Sequence, residues 1–312
     1  MNPVSLDPDA TYDAALAGFD AAVCEALAVG QGSADRLPQR HISWGSRIFA
    51  RLCGHATAMV RAAPRSRWVR SDSEDWHFSS VAPHARAILE GVPFFLYFVE
   101  QPSSDDEVSA RVNMLHLNDC TRRINLFTQL GSERQKQDFE IQQEQLRERL
   151  RRNTYFAAMP EKAQRECLKG EKPWLKTRSQ LNEMAGIDEV SFETLWLLYS
   201  QHSHILPLSF HRFEQEGRGS GLQNETDQHY IQLALSSSSE YLGKATTVMT
   251  FHFPDTADLR KGVQSKFRPG PRENAYALRE GLSIDDSPAD LERSILSRNL
   301  QSFLNVIRRR AQ

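Results

Sequence analysis

The sequence predicts an all-α multi-helix bundle of roughly eight to ten helices. Two observations carry that prediction. Apolar residues recur at three- and four-residue spacing through almost every segment, and the segments are separated by Gly, Pro and capping residues. Convincing period-2 strands are absent: the one β-like run, TTVMTFHF, continues a helical pattern equally well, and no internal repeat is present.

The elements follow in order. Residues 9–29 are Ala-rich and apolar at helical spacing, with Gly30 and Gly32 as a stop. Gln39 to Ala63 forms a second helix, ended by Pro64. The polar stretch RSRWVRSDSEDWHF reads as a loop anchored by two tryptophans. Pro83 suits a first helical turn, and Pro83 to Glu100 is apolar nearly all round, with a kink expected at Pro93. Ser104 to Leu130 opens on acidic residues that favour a helix N-terminus. Ser132 and Gln135 have capping-box spacing and start a long polar helix running to about Met159. Shorter helices follow at Pro160–Lys169 and Thr177–Ala185, then a strongly apolar one from Val190 to Ile205. A long helix spans Glu225 to His252, and a last one runs from Ser287 to Arg310. The Pro-Gly-Pro turn within 262–286 marks a linker or surface loop, which divides the chain into a bundle domain at 1–261 and a C-terminal helix at 287–312 docked on it.

Bulk properties restrict the function classes. The chain of 312 residues has a net charge of -2, so it has no global attraction to nucleic acid or an acidic membrane. The most apolar stretch, Val92 to Val99, is far too short to span a bilayer, and the N-terminal residues lack a signal-peptide pattern. Cys24, Cys53, Cys120 and Cys167 are widely spaced, which suits reduced thiols and a cytoplasmic location. RERLRR (Arg147 to Arg152) and the stretch Arg260 to Arg272 are locally basic, and a solvated face accounts for the first. Nucleic acid therefore stays open as a partner, beside a small polar ligand and a second copy of the chain; a membrane is not expected.

Two helices place polar groups on otherwise apolar surface. Arg86 and Glu90 stand four apart within HARAILEGVPFFLYFV, on one helix face. Both are expected to be largely out of water, so each needs a partner. Ser200 and His204 also stand four apart, with Trp196 on the same stripe and Tyr199 and Ser203 beside it. Packed face to face, the two helices would form an Arg-Glu-Ser-His cluster inside the bundle.

The R-x3-E pair (Arg86, Glu90), the downstream Trp174 in KPWLKT, and Y-S-x3-H (Tyr199, Ser200, His204) together resemble an uncharacterised bacterial family, an all-helical domain of unknown function. The serine that matches is Ser200, because it alone stands four before His204. The resemblance covers roughly Phe78 to Pro207 and implies a helical fold and a shared polar cluster, with no established reaction.

The cluster admits two readings: register-fixing pairs satisfied internally, or a pocket that binds a small polar ligand, in a binding or regulatory module or in an enzyme. In a catalytic site His204 would be general base or acid, Glu90 its orienter or the base, and Arg86 the anion-stabilising group. Ser200 could act as a nucleophile only within hydrogen-bond reach of His204, and a helical serine often bonds its own backbone instead.

The alternative is a helical ribonuclease-like effector of defence or toxin type, using an Arg-x(4–6)-His motif. Arg36/His41, Arg70/His77 and Arg111/His116 have suitable spacings, about as many as chance supplies, and Arg111/His116 is the best placed because it lies on a helix. His84, Glu90, His202 and His204 could supply metal ligands, but no H-E-x-x-H is present and His202 and His204 diverge on a helix. The expectation is no metal and no cofactor.

Overall fold

The computed structural model describes residues 8–70, 73–211 and 218–268. They form ten α-helices: α1 (Pro8–Gly32), α2 (Arg40–Ala62), α3 (Ala82–Val99), α4 (Asp105–Gln129), α5 (Glu133–Arg151), α6 (Thr154–Ala157), α7 (Glu161–Leu168), α8 (Arg178–Met184), α9 (Glu189–Ser203) and α10 (Glu225–His252). Among the described residues there is no strand, only one isolated bridge between Lys261 and Val263. TTVMTFHF lies in α10 except for its last residue, Phe253, which follows the helix end.

Side-chain caps start the helices where the sequence places Ser, Thr, Asp or Asn. Ser104 accepts from the Glu107 N–H at 3.1 Å, Asp188 from Ser191 at 2.9 Å, and Asn224 from Asp227 at 2.9 Å. Thr177 and Gln180 form a reciprocal capping box at α8.

The main core lies between α1, α2, α3, α9 and α10 and holds Phe19, Phe49, Ile88, Phe95, Tyr199 and Leu242. α3 runs unbroken through Pro93 at its centre. A smaller core joins α4, α5 and α6 through Met114, Leu117, Leu150 and Phe156. Tyr97 and Phe98 of α3 pack with Leu181 of α8, which brings α8 against the exposed side of α3.

Three expectations are corrected. The polar helix from Ser132 ends at Arg151 instead of Met159. Asn153 interrupts it: its amide donates to the Asp106 carbonyl at 2.8 Å and its oxygen accepts from the Phe156 N–H at 2.9 Å, restarting the chain as α6. That turn carries Phe156 into the small core with no exposed surface, a gain the uninterrupted helix would forgo. At the other end, Ser132 bonds the Gln135 side chain and caps no backbone N–H, so the capping box does not form.

The third correction concerns the expected linker. Its first residues belong to the helical body: Ser265 and Phe267 are buried, and Phe267 stacks on Trp68 at 5.7 Å. The body closes at Arg268. The remainder of the linker and the terminal helix from Ser287 lie outside the described residues. None of the described helices is long and apolar enough to cross a membrane.

Burial depresses the imidazole pKa of His41, His202, His55, His84 and His252 below the usual value. In the unfolded chain these groups bind protons from about pH 6.5 downward, before the folded state does. Their contribution to stability is complete above about pH 6.5 and is lost as the pH falls through the depressed folded values. His77 opposes them, because the hydrogen bond to Asp75 raises its pKa. Urea melts are therefore expected to give a lower unfolding free energy at pH 5 than at pH 7.5. Equal values would show that imidazole burial does not govern the acid limb.

Candidate functional site

Glu90 is the centre of the polar surface on α3. Its carboxylate accepts the Trp196 indole N–H at 2.6 Å, with the Arg86 and Arg178 guanidiniums each 3.7 Å away. Arg86 approaches His204 Nε2 at 3.3 Å and lies over the Trp196 ring at 5.3 Å. An imidazole accepting at Nε2 must carry its proton on Nδ1. The Arg86 Nε is buried and has no hydrogen-bond partner.

Three of the four expected residues thus converge, and the fourth does not. The Ser200 hydroxyl donates to the Trp196 carbonyl of its own helix at 2.5 Å. Four-back bonding satisfies the hydroxyl within the turn and removes it from the cluster. Ser203 does the same to the Tyr199 carbonyl at 2.7 Å, while the Tyr199 hydroxyl meets Ser237 on α10 at 2.8 Å.

The cluster is also wetter than expected. The Arg86 and Glu90 side chains are 25% and 35% exposed. α3 turns Ala85, Ile88, Leu89 and Val92 into the core, and α8 and α9 cover only part of the face that carries Arg86 and Glu90. His204 ends α9 in extended backbone and is exposed.

Beside Glu90 a cleft of about 340 Å³ opens between α3, α8 and α9. Phe94, Trp174, Leu181 and Phe192 form its walls, and Arg178 and Asn182 supply polar groups. Trp174, expected at the site from its motif, meets Phe94 edge-on at 5.6 Å. Arg178 lies over the Phe192 ring at 5.3 Å. Sequence reasoning missed Arg178 and Asn182. Their signal was the i, i+4 spacing in RSQLN, which puts both on one face of a short helix.

The arginine–histidine pairs serve packing. Arg111 is buried and donates to Glu107, to the Tyr97 carbonyl at 2.6 Å, and to the Glu100 carbonyl and carboxylate at 3.1 and 3.2 Å. His116 is exposed and meets Trp44 edge-on at 5.4 Å. Arg36 is engaged by Asp255 and His77 by Asp75. Arg147 and Arg151 of α5 pair with Glu144, and Arg152 just past its end pairs with Glu148.

Of the possible metal ligands, His202 is buried against Phe78 and Tyr230, and His84 meets His55 at 3.3 Å. Among the described residues no three His, Cys, Asp or Glu side chains converge on a common point. No family model, curated protein or solved structure matches this chain.

Proposed function

We propose that the chain is a small-ligand binding module whose site is the cleft between α3, α8 and α9. Glu90 carries the reading, because one carboxylate both anchors the Arg86–Trp196–His204 cluster and lines an apolar cleft of about 340 Å³. Apolar walls with a few convergent polar groups are the usual makeup of a ligand pocket. Arg86 and His204 hold the indole and the carboxylate in place, and Arg178 is the exposed cation at the mouth. A regulatory role fits better than catalysis, since Ser200, the nucleophile that the spacing offered to His204, is engaged by its own backbone. Membership of the uncharacterised bacterial helical family and a cytoplasmic location belong to the same proposal. No observation favours the nuclease reading, because every polar group of Arg111 is already engaged.

Thermal melts in a panel of polar metabolites test the proposal. A ligand present at a hundred times its Kd adds about 2.7 kcal/mol, which for a domain of this size raises Tm by about 4–5 °C. The rise is expected to vanish in Glu90→Gln and to fall sharply in Arg86→Ala. A rise that survives in both variants, or an unmoved Tm across the panel, overturns the assignment.

A further inference from the structure

The ligand class of this cleft can be taken one step further, resting on the reading just given. Asn182 is 3% exposed and lines the cleft. Among the described residues its side-chain amide has no hydrogen-bond partner; the same holds for the more exposed Asn113 and Asn125, whereas the side chains of Asn118, Asn153 and Asn224 have one. Its amide nitrogen and oxygen are not sealed from solvent, so they present two donors and an acceptor to the cleft. Water meets them in the free protein, and a ligand with a matching donor and acceptor can take the place of that water.

The surroundings define what that is. The walls carry the aromatic rings of Phe94, Trp174 and Phe192, with the Arg178 guanidinium over the Phe192 ring. A planar ring stacks on such faces with little regard to its substituents. The asparagine amide pairs in two-point fashion with a neighbouring donor and acceptor on a ring edge, as it does with adenine. Enzymes that hold a lone base use the same pair of contacts, stacking for the faces and hydrogen bonds for the edge. The Glu90 carboxylate offers a further acceptor to an exocyclic amine, and Arg178 stands at the mouth for an anionic substituent.

We infer that the cleft binds a planar nitrogen heterocycle of the nucleobase class, read at its edge by Asn182 and stacked by the aromatic walls.

The experiment uses the full chain with adenosine, guanosine, cytidine, uridine and nicotinamide as probes. Benzoate and indole serve as planar controls that lack an adjacent donor and acceptor. Titration calorimetry and quenching of tryptophan fluorescence read binding. At least one heterocycle is expected to bind, and Asn182→Leu is expected to weaken it at least about tenfold. The same substitution should change the stability of the free protein little, because it removes no hydrogen bond within the protein and does not change the shape much. An asparagine with a purely structural role would instead lower Tm and leave the binding of a planar probe unchanged.

If the heterocycles fail while benzoate, indole or another metabolite binds and is lost in Glu90→Gln, the nucleobase class falls and the ligand site stands. If a heterocycle binds equally well to Asn182→Leu, edge reading falls. If nothing tested binds, both proposals fall together.

Discussion

Replacing Arg111 by Met is expected to lower the unfolding free energy by about 3–5 kcal/mol, the cost of stranding a buried charge. Arg111 and Glu107 are 2% and 8% exposed and lie one turn apart on α4. The guanidinium also closes the carbonyls of Tyr97 and Glu100 at the end of α3. Its removal leaves Glu107 with the Ser103 N–H and hydroxyl at 2.8 and 2.7 Å and the Tyr155 hydroxyl. Denaturant melts measure the loss. Arg111→Lys should recover little, because an ammonium cannot reproduce the planar fork. Glu107→Gln added to Arg111→Met should recover part of it, since the stranded group is then neutral. A loss below about 1 kcal/mol for Arg111→Met would place the pair among exposed ion pairs. The result also bears on function. An Arg111 variant that lost any activity would do so through unfolding, so it could not be read as the loss of a catalytic arginine.

The helices were legible because their signals are local. α10 has the expected bounds, Glu225 and His252, and α3 begins and ends one residue before the expected Pro83 and Glu100. What failed depended on where a side chain turned. Asn153 could have continued a helix, and only the burial of Phe156 decides that it breaks one. The candidate site divides along the same line. Arg86, Glu90 and His204 share a surface because α3 and α9 pack together, which their apolar faces announced. Ser200 had the right spacing, but its hydroxyl found a carbonyl within its own turn. Arg178 and Asn182 could not be placed by pattern, because α8 is short and reaches the cleft through the contact of Leu181 with Tyr97 and Phe98.

The position of α3, and with it Glu90, depends on its close approach to α2, and Gly45→Ala is expected to disturb it. A Cβ on Gly45 would stand 2.2 Å from Val99 Cγ1 and 3.7 Å from the Phe95 ring. Val99 is buried and β-branched, so it has little rotamer freedom with which to retreat. Overpacking of this kind costs about 1–3 kcal/mol, against a gain of about 1 kcal/mol from placing Ala for Gly within a helix. The single variant should therefore be destabilised on balance. Val99→Ala opens the space that the new methyl needs, so the two changes should couple favourably by about 0.5–3 kcal/mol in a double-mutant cycle. A stabilised Gly45→Ala would mean that Val99 yields freely and that Gly45 does not set the helix spacing. Because α3 carries Glu90 into the cleft, the ligand-induced rise in Tm should shrink in Gly45→Ala and return in the double variant. Persistence of the full rise in the single variant would show that the cleft is held by α8 and α9 independently of the α2–α3 contact.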